Sequence, residues 1–349
     1  MLSLSVRVVD FTAQPVIAYP GNSAFGQVFN PSWVAGPKPG LLIRTQNCTF
    51  ELGKCAGCSG AGPKASILTF SEQTGSDAAG SPVFAPVTAD SVVFGPHDMT
   101  DDKGTEDPRV AYNPVDKLYY MYYTCFNSDT TPQDRVTMCL ATSADPTSAT
   151  GWTRHGPVGL PEGSKSGALL LRPATAADPD PEHVLLWGAG VIHFAKSRNL
   201  SQWPVGTPFI TNTSWGNPHV ESGPPPMLLS SGDWIFFHNS WSPNFPRDPP
   251  GYQPAWVVLS GDVPSKILAR ATEPLWSAQK ASWMTGQPPS HCNVPNVAFL
   301  EAAHPVAGQP DTFRVFFGGA DAVIGTAVVK VELGEGVVEA RSRHTSSTL

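Results

Sequence analysis

The chain has 349 residues, a net charge of −7 and only 15% charged side chains. Gly 32 and Pro 36 together make about one residue in five, where about one in eight is usual, and hydrophobic residues reach 41% with Trp 10 and Phe 17. Ample apolar material excludes a disordered chain, and the low charge disfavours a long helical bundle. No Lys/Arg cluster supplies the basic surface that a nucleic-acid binder needs, and a Trp-rich, weakly charged, acidic chain leans instead toward neutral polar ligands.

No apolar run approaches the roughly 20 residues that cross a bilayer, so no membrane partner is expected. The start, MLSLSVRVV, is short and broken by Arg7, which makes it a poor signal peptide. The six cysteines are Cys48, Cys55, Cys58, Cys125, Cys139 and Cys292. One CxxC without a second pair is a weak zinc signal, so the cluster NCTFELGKCAGCSG is expected to hold a loop disulfide. Asn-x-Ser/Thr triplets at Asn47, Asn199 and Asn212, taken with the cysteines, lean toward an extracytoplasmic location.

One pattern recurs along the chain: an aromatic and β-branched strand, a loop, then a second strand. In order, LLIRTQN is followed by SILTFSEQ, and KLYYMYYT by VTMCLATSADPTSATGW. HVLLWGAG is followed by VIHFAKSRNLSQW, DWIFFHNS by QPAWVVLSGDVPSKILAR, and FRVFFGGAD by VIGTAVVKVEL. Each unit is a run of strand formers bounded by Gly, Pro, Asn or Asp. No segment carries a long 3.6-residue stripe, so helices are expected to be few. Five similar β-units, none able to bury its faces alone, predict an all-β five-bladed β-propeller. We expect a single domain over residues 1–349, with blades near 30–75, 105–152, 165–203, 218–270 and 293–333. A β-sandwich is the alternative, but the chain is long for one. In a propeller the innermost strands line one channel, so Arg44, Asp107, Lys165, His238 and Asp321 are expected at first-strand ends facing a common pocket.

The ordered set FNPSWV, LLIR, TEDPRV, KSGALLLRP, ESGPPPM, WIFFH, PSKILAR and FFGGAD, spanning about residues 28 to 333, resembles glycoside hydrolase family 130. That resemblance implies cleavage of β-mannosidic bonds by phosphorolysis in most members and hydrolysis in some. It makes Asp107 of TEDPR the general acid, with Glu106 and Arg109 tuning or orienting it. It also implies substrate contacts from Asn30, Arg44, Glu106, Arg109, Lys165 and Asp321, and makes His238 a phosphate contact in phosphorylases. The plainer readings stand beside these: Asn30 and Asp107 are turn residues before proline, Arg44 forms an internal ion pair with Asp321, and Lys165 is solvated.

Two departures from the family pattern tilt the expectation. Ser166 stands where an acid is usual, and Trp187, Gly188, Ala189 and Gly190 stand where phosphorylases carry an arginine. A missing guanidinium weakens binding of a phosphate dianion, unless Arg135, Arg172 or Arg198 substitutes. The expected activity is therefore hydrolysis of manno-oligosaccharides with inversion, using Glu221 as the base that activates water, with Glu162 and Glu273 as lesser candidates. The alternatives are a phosphorylase that takes inorganic phosphate as co-substrate and releases mannose 1-phosphate, and a catalytically silent mannoside-binding propeller. No metal or cofactor is expected. The partner is an oligosaccharide, and an oligomer is compatible with the family.

Overall fold

The computed structural model describes residues 4–47, 65–127, 135–174, 176, 178–242, 251–288 and 293–333. Five antiparallel sheets form the five blades of a β-propeller. Blade I runs outward through Gln27–Val34, Gly40–Gln46, Ile67–Ser76 and Pro82–Phe84, with Val92–Phe94 also paired to the third strand. Blade II comprises Gly104–Asn113, Leu118–Asn127, Arg135–Ser143 and Trp152–Pro157. Blade III comprises Ala168–Leu170, His183–Trp187, Ile192–Ser197 and Thr207–Ile210. Blade IV comprises His219–Ser222, Trp234–Ser242, Gly251–Leu259 and Ile267–Arg270, with short additions from Ala189–Gly190 and Met227–Leu228. Blade V comprises Ala298–Pro305, Thr312–Gly319 and Val323–Leu333.

The fourth strand of blade V comes from the other end of the chain. Leu4–Phe11 pairs antiparallel with Val323–Leu333, placing Val6 opposite Val331 and Val8 opposite Val329. The ring is thus completed by its own N-terminal strand, which leaves fewer open sheet edges. Sequence reading passed over this segment because it has no partner strand nearby in the chain.

The blades are held by apolar layers between adjacent sheets. Phe237, Trp256, Phe313, Phe317 and Trp283 fill the wall between blades IV and V, each buried. Each such side chain contributes about 1.5–3 kcal/mol on burial. Gly319 permits the close packing there, since a Cβ at that position would lie 2.5 Å from the Trp283 ring. Cys125 and Cys139 form a disulfide between the second and third strands of blade II. The expected loop disulfide at Cys48, Cys55 and Cys58 lies outside the described residues, as does Cys292.

The recurring sequence units prove to be the second and third strands of the blades. Arg44 and His238 therefore lie within second strands, not at first-strand ends, and Asp321 sits in the turn after a second strand. The expectation for these three is corrected. These innermost strands contain Pro, charge or both, as in QVFNPSWV, GTEDPRVAYN, HVES and AFLEAAHP, and so do not read as regular strands.

Candidate active site

Three innermost strands are broken at the residue they aim inward. The ladder of blade I shifts between Phe29 and Pro31, that of blade II between Glu106 and Arg109, and that of blade V between Leu300 and Ala302. Asn30, Asp107 and Glu301 fall at these irregularities, where a β-bulge re-aims a side chain. Asn30 and Asp107 have φ of 46° and 49°, the left-handed region that Asn and Asp tolerate best among non-glycine residues. Each precedes a proline, which lacks a ladder donor, so a bulge is where it fits at least cost. Ser166 and Asp321 share this backbone region, at φ of 60° and 48°. Residues held in sparse backbone regions cluster at functional sites.

These irregularities converge on one cluster. Arg44 reaches across from the second strand of blade I. Its Nη1 donates to Asp107 Oδ1 at 2.8 Å, its Nη2 to Glu106 Oε1 at 2.5 Å and its Nε to Ser66 Oγ at 3.0 Å. Its guanidinium also lies 4.6 Å above the Phe29 ring centroid. Ser66 Oγ donates to Glu106 Oε1 at 2.8 Å, and Asn30 Nδ2 donates to Asp107 Oδ1 at 2.6 Å. Arg44 pairs with Glu106 and Asp107, so the internal ion pair expected with Asp321 is found on different carboxylates.

A second group faces this one. Lys165 Nζ lies 2.9 Å from Glu221 Oε1, which also accepts from Ser166 Oγ at 2.6 Å. Glu221 Oε2 accepts from Tyr252 Oη at 3.0 Å, and Tyr252 Oη lies 3.3 Å from His219 Nε2. The Glu221 side chain is 2% exposed and that of Lys165 30%, so the cation presents the accessible end of the pair.

The electrostatics divide the carboxyls into two sets. Burial pushes Asp107 up, but Arg44, Lys165 and Arg109 with the Asn30 hydrogen bond outweigh it and hold the carboxyl well below its usual range. Burial likewise opposes Glu221, and Lys165 with Ser166 brings it below its ordinary value. Glu106 and Asp321 go the other way. Burial raises Glu106 beyond what Arg44 offsets. Burial, with the charges of Asp107 and Glu221, raises Asp321 to about 7.

Asn30, Arg44, Glu106, Asp107, Lys165, Glu221 and Asp321 are thus gathered around one centre, by direct contact or, for Asp321, by through-space charge. Two expected sugar or phosphate contacts are placed elsewhere. The Arg109 side chain is 0% exposed, enclosed by Asp107, Ser222, Gly223 and Glu301. His238 is buried beside Trp256 and Arg270 in the wall between blades III and IV. Burial holds its imidazole at about 4 and therefore neutral. Glu162 pairs with Arg135, and Glu273 is exposed. Sequence reasoning passed over Ser66, Tyr252 and Glu301. Only Glu301 carried a signal, a lone charge inside the apolar run AFLEAA.

The segment that departs from the family pattern lies directly against this site. Gly188 N–H donates to the Lys165 carbonyl at 3.0 Å, and Ala189 is registered opposite Glu221. Trp187 turns into the blade, donating to the Val205 carbonyl at 3.0 Å and stacking on His193 at 4.6 Å. Arg135, Arg172 and Arg198, the possible substitutes, pair with Glu162, Asp178, and Asp180 and Glu182 respectively.

No family model matches the chain. It is, however, 32% identical over 235 residues to a 1,2-β-oligomannan phosphorylase of Thermoanaerobacter sp. (strain X514), covering 66% of this chain and 69% of that protein. The chain belongs to glycoside hydrolase family 130. Solved structures carry the same fold at lower identity. A β-1,2-mannobiose phosphorylase from Listeria innocua superposes with a TM-score of 0.69 at 12% identity, covering 96% of this chain and 98% of that one. A family 130 structure, described among glycoside hydrolases that target β-1,2 mannosidic linkages in Candida mannan, gives 0.67 at 20% identity over 90% and 91%. The family 130 chain is an enzyme, a glycosidase or glycoside phosphorylase.

Proposed function

We propose that this protein cleaves β-1,2-mannosidic bonds of manno-oligosaccharides with inversion, and that it transfers the glycone to water. The linkage follows that named for its sequence relatives, a 1,2-β-oligomannan phosphorylase and a β-1,2-mannobiose phosphorylase at 32% and 28% identity. The preference for water rests on the pairing of the cations. Arg44 is engaged by Glu106 and Asp107, Lys165 by Glu221, and Arg109 is enclosed beneath them. A phosphate dianion favours bidentate guanidinium partners, and among the described residues each guanidinium or ammonium of the site already holds a carboxylate.

Asp107 delivers the proton to the leaving oxygen. In the free site its ion pairs keep it ionised, so it takes up from solvent, as sugar binds, the proton that it delivers. Asp321, raised to about 7, is divided between its charged and neutral forms at pH 7 and lies within charge range of Asp107. Glu221 is the base. A carboxylate offers about four lone-pair directions; Lys165, Ser166 and Tyr252 use three, leaving one for the attacking water. Ser166 thus has a role in holding Glu221, which removes one of the two motives for a silent binding propeller.

The second reading is phosphorolysis, favoured by the activity named for both sequence relatives. In that case phosphate displaces Glu221 from Lys165. Product analysis on β-1,2-mannobiose with and without inorganic phosphate separates the two. Free mannose in both conditions is expected. Mannose 1-phosphate formed only when phosphate is present would overturn the hydrolytic reading.

A further inference from the structure

Arg109 was expected to meet the sugar, yet its guanidinium is wholly enclosed and still makes four contacts with three blades. Nη1 donates to the Asp107 carbonyl of blade II at 2.8 Å. Nη2 donates to the Ser222 carbonyl at 2.9 Å and Nε to the Gly223 carbonyl at 3.3 Å, both following Glu221 in blade IV. Nη2 also lies 2.6 Å from Glu301 Oε1, on the innermost strand of blade V, and both side chains are 0% exposed.

These partners are specific. One carbonyl belongs to Asp107, whose left-handed backbone aims its carboxyl at the centre. The other two lie just after Glu221. A rigid planar fork therefore spans the strand of the proposed acid and that of the proposed base, a task that a lysine ammonium cannot perform with the same geometry. In inverting glycosidases the two carboxyls must stand about 6.5–9.5 Å apart to admit a water. Glu301 is the only carboxylate paired with this guanidinium among the described residues. Neither of its oxygens has a well-aligned hydrogen bond; burial pushes its carboxyl well above the usual range, and the Arg109 guanidinium 2.6 Å away pulls it back down.

We infer that Glu301 and Arg109 are positioning residues for the reaction: a buried ion pair beneath the site that sets the spacing and aim of Asp107 and Glu221. The inference rests on the proposed roles of those two carboxylates but not on whether water or phosphate is the acceptor. Neither Glu301 nor Arg109 touches sugar.

The test uses the 349-residue chain with Glu301→Gln, which keeps shape and replaces the carboxyl, and Arg109→Lys, which keeps charge and removes the fork. Each is assayed on β-1,2-mannobiose below its unfolding temperature, with rates normalised to folded protein by circular dichroism. Misplacement by about 1 Å costs about 10²-fold in rate. The expected result is a kcat lowered by about that factor with KM changed less than about threefold. If Glu301→Gln fails to fold, Arg109→Lys alone carries the same readout. A kcat per folded molecule equal to wild type in both variants overturns the inference, as does a KM rise with kcat unchanged, which would mark a direct sugar contact. Absence of cleavage by the wild-type protein would instead overturn the proposed function.

Discussion

The innermost strands and the second strands of this propeller follow opposite rules. Second strands such as Leu118–Asn127 and Trp234–Ser242 are regular ladders, buried on both faces and dense in aromatic and β-branched residues. Innermost strands such as Gln27–Val34 and Gly104–Asn113 are bulged and interrupted by proline, and they hold Asn30 and Asp107 at positive φ. Stability is concentrated where the ladder is regular, and chemistry where it is broken. A bulge leaves backbone groups without ladder partners, and at this site Arg109 Nη1 takes up the Asp107 carbonyl.

The sharpest break of the comparison is Asp107→Asn. It should lower turnover by about 10²–10⁴-fold, the usual contribution of a positioned acid or base, while the folded far-ultraviolet spectrum is retained. Steady-state rates on β-1,2-mannobiose check it, and near wild-type turnover would remove Asp107 from the reaction. The converse change is Phe237→Ala, in the second strand of blade IV. Its side chain is fully buried, so denaturant unfolding should show a loss of about 3–5 kcal/mol. A smaller loss would mean that the regular strands are not where stability resides.

Tyr252→Phe sharpens the contrast at lower amplitude. It removes the phenol donor to Glu221 Oε2. A hydrogen bond to a charged group contributes about 1.5–3 kcal/mol, and urea titration at pH 7 should show a loss in that range. An unchanged midpoint would show that Glu221 is held by Lys165 and Ser166 alone.

The smallest effect, counted per pH unit, is a slope with pH. Asp321 stands at about 7 in the folded protein against 3.8 as an unperturbed carboxyl. Between these values the folded state binds more of its proton than the unfolded state does, so this group makes stability fall as pH rises from about 4 to 7. The contribution is at most about 1.4 kcal/mol per pH unit. Asp321→Asn should flatten the slope and leave the variant relatively more stable at pH 8. Thermal unfolding at several pH values measures it, and parallel curves for the two proteins would refute the assignment.

Fold class was legible because second and third strands repeat a pattern that physics constrains strongly. A strand buried on both faces must be apolar, β-branched or aromatic along its length, and KLYYMYYT, DWIFFHNS and FRVFFGGAD all show it. The site was legible only through short motifs such as TEDPR and FFGGAD, which placed Asp107 and Asp321 near one another without contacts. Local sequence offered no sign that Leu4–Phe11 would complete blade V, because its partner lies at the far end of the chain. Nor could it choose partners for charged side chains. Arg44 took Glu106 and Asp107, Arg109 was buried against Glu301, and His238 packed into a blade wall. Strand character depends on residues within a few positions, so composition and alternation reveal it. Charge pairing depends on which side chains arrive within about 4 Å of one another, and here that was decided only when five blades closed into a ring and brought residues from distant parts of the chain to its axis.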